Sequence, residues 1–141
     1  MRRSRTYKLR LSPQGIDLFL DFHGRLARLL CDFIPYRLTL SVAIAILESR
    51  GADDVFETLQ GRRFHVCLGE ETRFVGTTIQ LTQILTRIAA RLAESREFSQ
   101  ATKLGHLYLA AILLAMSAED QELLDAHRRF AENRFAHAIA Q

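Results

Sequence analysis

Strict alternation of apolar and polar residues marks the beginning of the chain. Within residues 6–12 every second residue is apolar, and these are Tyr7, Leu9 and Leu11. A period of two predicts a half-buried strand, because successive side chains of a strand point to opposite faces of a sheet. Ser12 and Pro13 then predict the start of a helix, since a serine hydroxyl can accept a hydrogen bond from an unpaired N–H and proline suits the first helical position.

Residues 13–33 show the period of a helix instead. Their apolar side chains recur at every third or fourth position with charged residues opposite, which predicts an amphipathic surface helix that ends before Pro35. Residues 37–51 alternate like a strand, yet their length, their alanines and a terminal glycine favour a buried helix. Residues 53–60 are predicted to form a short helix that the two aspartates at its start cap and Gly61 ends.

The next two apolar runs predict a β-hairpin. Residues 63–68 and 72–75 flank a turn led by Gly69, an arrangement typical of two short antiparallel strands. The side chains expected to face inward are Phe64, Val66 and Leu68. Together with the strand over residues 6–12, the hairpin could complete a small antiparallel sheet.

Three further helices are predicted. The first is opened by residues 76–78 and ends near Ser95, the second covers residues 104–116, and the third starts with a capping box at residues 117–120 and carries an apolar stripe up to Ala138. The segment 104–116 is apolar on every side, so we expect it to be the central, buried helix. It falls short of the roughly 20 apolar residues that a membrane span needs, and no membrane partner is expected. The sequence therefore predicts an α+β fold, mostly helical, with five to six helices, a short N-terminal strand and a β-hairpin around a single core. Residues 1–141 are expected to form one domain with a basic N-terminal arm, residues 1–12.

Positive charge is concentrated in this N-terminal arm. Its basic side chains are Arg2, Arg3, Arg5, Lys8 and Arg10. The arm contains no acidic residue, whereas the rest of the chain holds slightly more acidic than basic side chains. A positive arm on a near-neutral body suggests a polyanionic partner. Nucleic acid is favoured over a membrane surface, because no amphipathic helix accompanies the arm. The alternative interpretation is a solubilising tail.

Signatures of catalysis or cofactor binding are absent from the sequence. Phosphate-binding glycine motifs, the nucleophile elbow and the zinc-protease motif do not occur, so no enzyme and no cofactor are expected. His65 and Cys67 could share a metal on one strand face, but no further ligand is suggested and no metal site is predicted. His23 and His127 lie on apolar helix faces, where a histidine is usually a hydrogen-bonded core residue. Cys31 and Cys67 show no Cys-x-x-Cys spacing, which favours a reducing, cytoplasmic location.

A basic strand followed by two helices is similar to the ribbon-helix-helix class of dimeric DNA-binding proteins. The similarity covers residues 6–50 and concerns the order and polarity of the elements. In that class, paired strands enter the major groove, so the resemblance implies that a second copy of the chain provides the partner strand. If the apolar residues of the strand are buried, Lys8 and Arg10 project outward together on the ribbon.

These observations predict a small, dimeric DNA-binding regulator of transcription. Arg2, Arg3 and Arg5 are expected on phosphates, and Lys8 and Arg10 near base edges. A second DNA-binding interpretation is a helix-turn-helix around the polar break at residues 95–99. Its basic residues are Arg87, Arg91, Arg96 and Lys103.

A non-enzymatic helical adaptor, or a structural subunit of a larger protein assembly, is the alternative function. It rests on the high apolar content of residues 38–47 and 104–116. In this hypothesis, these two segments contact protein partners. Homo-oligomers are expected under either hypothesis.

Overall fold

Seven helices and two strands make up the part of the chain that the structure describes. The computed structural model describes the backbone of residues 5–94 and 104–140, and the side chains of residues 8–94 and 104–130. The elements are β1 (Arg5–Leu11), α1 (Pro13–Leu30), α2 (Tyr36–Ser49), α3 (Ala52–Gln60), α4 (Arg62–Cys67), β2 (Glu71–Thr77), α5 (Ile79–Ala93), α6 (Leu104–Met116) and α7 (Asp120–Ala140). The predicted mostly helical α+β class is confirmed, with one helix more than expected.

Helix α6 lies at the centre of these elements, as its uniformly apolar sequence predicts. Every residue from Leu107 to Leu113 is buried, and the helix packs against α1, α2, α3, α4, α5 and β1. Burial on all sides explains why no polar face interrupts its sequence. None of the helices in the described ranges is long and apolar enough to cross a bilayer.

Helix α2 is the main packing partner of α6. Its formation confirms the helix predicted for this ambiguous segment, and most of its residues from Thr39 to Leu47 are buried. It ends at Ser49 with Arg50 as its C-cap, so Gly51 occupies the predicted C′ position, although its φ of -72° is not left-handed. Gly51 also precedes α3 as its N-cap residue, and the expected capping by Asp53 or Asp54 side chains is not observed.

The predicted β-hairpin is wrong, although its second strand exists. The first run forms helix α4, in which Phe64 and Cys67, three positions apart, are buried while Val66 is exposed. The second run is β2, which pairs with β1 in a two-stranded antiparallel ribbon. The partner strand of β1 therefore comes from the same chain, and not from a second copy as the ribbon-helix-helix resemblance implies.

One face of the ribbon is buried against the helices, except at Glu71 and Arg73, which are exposed. Leu9 and Leu11 of β1, and Val75 and Thr77 of β2, are all buried, in agreement with the alternation in the sequence. The Thr77 hydroxyl lies 2.8 Å from the Tyr108 hydroxyl of α6, which joins this inner face to the central helix. The opposite face of the ribbon is consequently directed toward solvent.

Ser12 joins the ribbon to α1 and α4. Its hydroxyl accepts a hydrogen bond from the Gly15 amide at 3.1 Å, as predicted for the N-cap, and donates to the Val66 carbonyl at 2.5 Å. The Ser12 amide donates to the Cys67 carbonyl at 2.9 Å. These bonds fix the end of β1, the start of α1 and the end of α4 as one unit.

Helix α1 ends earlier than predicted, and it is tied to the end of α6. Cys31 caps it in a left-handed conformation, with φ of 53°, so the chain leaves the helix before Pro35. The Arg25 guanidinium donates to the carbonyls of Met116 at 3.0 Å and Ala118 at 2.6 Å. Carbonyls at a helix C-terminus lack helical partners, so a cation stabilises them.

Candidate nucleic-acid interface

The solvent-directed side of the ribbon, hereafter the outer face, is formed by Lys8 and Arg10 of β1 and Thr72 and Phe74 of β2. Residues directly opposite each other in an antiparallel pair point to the same side of the sheet. Lys8 is opposite Phe74 and Arg10 is opposite Thr72, while the intervening Leu9 is buried. Both basic residues are exposed. Strand β1 therefore presents two cations on one surface, about 7 Å apart along the strand.

Phe74 places an aromatic ring in the middle of the outer face. It is 67% exposed, whereas its neighbours Val75 and Thr77 on the same strand are buried. Within the described side chains it takes part in no aromatic ring pair. Opposite residues have Cβ atoms about 5 Å apart, so the ring lies beside Lys8 and diagonal to Arg10.

Arg37, in the first turn of α2, adds a third cation beside the outer face. A Cβ built on Gly76, which is opposite Thr6, would lie 3.7 Å from the Arg37 Cβ. Gly76 is two residues from Phe74, so that Cβ would point to the outer face as Phe74 does. The exposed Arg37 therefore borders the outer face at the end remote from Thr72.

Lys8, Arg10 and Arg37 contrast with Arg25, Arg50 and Arg87, which carboxylates engage within the chain. Lys8, Arg10 and Arg37 make no ion pair with any carboxylate of the described residues. By contrast, Arg50 donates two hydrogen bonds to Glu122, at 2.6 and 3.0 Å. Unpaired, exposed cations leave their field available to a polyanion.

Two acidic residues lie at the end of the ribbon where β2 begins. Glu70 and Glu71 are exposed, and Glu71 is opposite Leu11. The nearest approach of Glu71 to a cation is 4.0 Å, to Arg73 of its own strand. The ribbon is therefore electrostatically polar, with acidic side chains at this end and Arg37 at the other.

The structure describes the side chains of two of the five residues predicted for the interface. Lys8 and Arg10 occupy the outer face as expected. Arg5 begins β1, but its side chain lies outside the described residues, as do Arg2 and Arg3 entirely. The roles predicted for these three arginines stay predictions.

Two of the four cations in the helix-turn-helix interpretation, Arg87 and Arg91, bind groups of the same chain. On α5, Arg87 lies 3.6 Å from Glu48 and Arg91 donates to the Arg50 carbonyl at 3.3 Å. Residues 95–103, which carry the other two cations of that interpretation, lie outside the described part of the chain. The described contacts hold α5 against α2.

His65 and Cys67 do not share a face, because both lie on α4 and not on a strand. His65 is exposed, whereas Cys67 is buried. Burial raises the pKa of the Cys67 thiol, and the nearby Arg63 opposes this in part. A raised pKa makes the thiolate less available as a ligand or nucleophile. Among the described residues, no group of three or more histidine, cysteine or acidic side chains is arranged to hold a metal ion.

His23 is a hydrogen-bonded residue at the junction of α1 and α2. Its Nδ1 lies 2.7 Å from the hydroxyl of Thr39, which is buried, and its ring meets the Tyr36 ring edge-on at 4.6 Å. Burial lowers the pKa of His23. This environment is the one expected for a histidine on an apolar helix face.

Comparison with known proteins adds no family to this picture. No family model matches the chain, and no curated protein or solved structure matches it at a significant level.

Phe74 of the outer face and Arg37 beside it are the two residues of the proposed interface that could not be identified from the sequence. For Phe74 a signal exists, since of the adjacent Phe74 and Val75 only one can be buried in a half-buried strand. Choosing between them requires the register with β1. For Arg37 the sequence contains no signal, because its position follows from the docking of α2 beside β2.

Proposed function

We propose that this protein binds nucleic acid through the outer face of its ribbon. The observation that carries the proposal is the exposed set of Lys8, Arg10 and Arg37 around Phe74, without ion-pair partners among the described residues. Lysine and arginine side chains bind phosphates by releasing counterions. A two-stranded ribbon and an exposed aromatic ring are both features by which proteins reach bases. The three arginines within residues 1–5 would add to the positive charge.

A dimeric DNA-binding regulator of transcription is the specific form of this function that the sequence predicts. In the described two-stranded sheet, β1 and β2 each pair with the other along one edge, and their outer edges have no strand partner. The one exception is a single bridge between Leu11 and Leu68. Open edges favour pairing with a second copy of the chain. Such pairing would extend the ribbon and double its outer-face cations, which is why we keep the dimer in the proposal.

The adaptor hypothesis depends on two apolar segments, and the structure places both in the protein's own core. Residues 38–47 belong to α2 and residues 104–116 form α6, and these two helices pack against each other. Apolar surface that is buried within the chain is not offered to a partner. We therefore give nucleic-acid binding precedence.

The test compares two double variants that lose the same charge. Lys8→Ala with Arg10→Ala removes both β1 cations, and Arg28→Ala with Arg129→Ala removes two exposed cations from the distal part of α1 and from α7. Binding to a labelled DNA is measured between 50 and 200 mM salt. Each lost phosphate contact lowers the slope of log K against log salt by about 0.7 for single strands and about 0.9 for duplex.

The outer-face variant should therefore bind more weakly and lose about 1.4 to 1.8 from the slope, while the control variant retains most of the wild-type slope. Equal effects of the two variants would show that binding depends on overall charge, and the assignment of the outer face as the binding surface would be wrong. No binding by the wild-type protein at 50 mM salt would overturn the function itself.

A further inference from the structure

Phe74 allows the substrate class of the outer face to be specified more closely. We propose that the outer face binds single-stranded nucleic acid in preference to duplex, with a base stacked on the Phe74 ring and the flanking phosphates held by Lys8 and Arg10. This inference rests on the proposed function. It specifies a single strand as the ligand, in place of the duplex that a DNA-binding regulator implies, and it names the residue that distinguishes the two.

The ring is presented on a rigid part of the fold. Val75 and Thr77, on either side of Gly76, are buried, so β2 cannot turn Phe74 inward without exposing them. The Thr77 hydroxyl is further held by Tyr108 at 2.8 Å. The ring, which is 67% exposed, is therefore available at a fixed position and needs no rearrangement of the strand to receive a base.

Stacking on an aromatic side chain requires a free base face. In a duplex both faces of each base are covered by its neighbours, and a phenylalanine in the major groove meets little beyond a thymine methyl group. In a single strand the faces are accessible, and proteins that bind such strands combine basic grooves with exposed aromatic rings. The placement of Phe74 beside Lys8 and diagonal to Arg10 is this combination.

A second copy of this chain is a poorer occupant of the same surface. Face-to-face packing of two outer faces would gather Lys8 and Arg10 of both copies in one interface, where no acidic side chain of the outer face could pair with them. Like charges placed opposite each other are destabilising. Charge complementarity therefore favours a polyanion over self-association at this face.

The protein contains no tryptophan, which permits a direct optical test. Phe74→Trp introduces a single indole at the stacking position, and a base stacked on it quenches its fluorescence. The probes are a mixed-sequence single-stranded DNA of about 20 nucleotides and the blunt duplex of the same sequence. We expect strong quenching by the single strand and weak quenching by the duplex.

Affinity measurements on Phe74→Ala complete the test, with Phe33→Ala as the matched control. Phe33 is fully exposed and belongs to the segment between α1 and α2, not to either strand of the ribbon. Loss of one stacked base should weaken single-strand binding about 5- to 160-fold. Duplex binding by Phe74→Ala, and single-strand binding by Phe33→Ala, should change less than about twofold. Circular dichroism checks that each variant retains its helical content.

The outcomes separate this inference from the proposed function. If Lys8→Ala with Arg10→Ala weakens binding while Phe74→Ala changes neither ligand, stacking is wrong and the proposed function stands. If Phe74→Ala weakens duplex and single strand equally, the preference for single strands is wrong. If the wild-type protein binds neither probe, both proposals fall.

Discussion

The hydroxyl groups of Thr77 and Tyr108 lie 2.8 Å apart in the interior, where they connect the inner face of the ribbon to α6. Both residues are buried. A buried hydroxyl is costly without a hydrogen bond, so each group stabilises the position of the other. The bond also sets the orientation of β2, because a strand whose Thr77 points to α6 must direct Phe74 to the opposite face.

Removing one of these hydroxyls should destabilise the fold by a measurable amount. Tyr108→Phe keeps the ring but leaves the buried Thr77 hydroxyl without this partner, so we expect a loss of about 1–2 kcal/mol in the free energy of unfolding. Urea denaturation of wild-type and variant proteins gives the value. Thr77→Val and the double variant complete a double-mutant cycle. Purely additive costs in the cycle would show that the two hydroxyls do not interact.

Replacement of Gly15 and of Gly24 by alanine, both in α1, should change the free energy of unfolding in opposite directions. Gly15 packs so closely on α4 that a Cβ would stand 2.3 Å from the Cys67 carbonyl oxygen, whereas a Cβ on Gly24 meets nothing within 4 Å. Gly15→Ala must push α1 away from α4, and we expect a loss of about 1–3 kcal/mol. Gly24→Ala should gain about 0.5–1 kcal/mol, because alanine is the better helix former.

Thermal or urea unfolding of the two variants measures the contrast directly. Because both substitutions add the same methyl group to one helix, differences in expression or helix propensity cannot account for opposite signs. Stabilisation by both variants would contradict the close approach of α1 and α4 at Gly15.

Local patterns predicted the elements whose signals are complete within a short segment. The alternation of β1, the Ser12 cap and the apolar α6 each depend on neighbours in sequence, and each is confirmed. The same reasoning placed Lys8 and Arg10 on one exposed face. These predictions succeed because side-chain direction in a strand or helix follows from the backbone period alone.

Pairing and register could not be predicted in the same way. Residues 63–68 alternate between apolar and polar side chains, as a strand does, but the burial of Phe64 and Cys67 follows helical spacing. A run of six residues is too short to distinguish the period of a strand from that of a helix. The residues of β1 that pair with β2 lie 60 to 72 positions earlier in the chain, so no local turn specifies the pairing. The exposure of Phe74 on the outer face depends on that register, so local sequence does not reveal it.

The ion pair of Arg50 and Glu122 should make stability fall in acid. Hydrogen bonding to Arg50 holds the pKa of Glu122 below its ordinary value, despite the opposing effect of burial. A carboxyl group with a lowered pKa in the folded state contributes stability above its unfolded pKa of about 4.3 and loses it as the pH falls through the folded value. Both side chains are partly exposed, so we expect a contribution of only about 1 kcal/mol at pH 7.

Glu122→Gln isolates this contribution. The variant should be less stable than wild type at pH 7, and the difference should shrink below about pH 4.3, where the wild-type carboxyl group also becomes neutral. Urea midpoints at pH 7, 5 and 3.5 measure it. A difference that stays constant across this range would mean that the charge of Glu122 does not stabilise the junction of α2 and α7.

His23 should produce a separate dependence at higher pH. Burial lowers its pKa in the folded protein, so the unfolded chain binds a proton more readily. Stability is therefore greatest above the unfolded pKa of about 6.5 and declines as the pH falls from there toward the folded pKa, below which no further loss occurs. His23→Gln keeps a side chain able to bond Thr39 but cannot titrate. Between pH 7.5 and 5.5 the wild-type protein should lose stability relative to this variant, as measured by urea midpoints in matched buffers. Parallel losses in the two proteins would show that burial of His23 is not the source of the pH dependence.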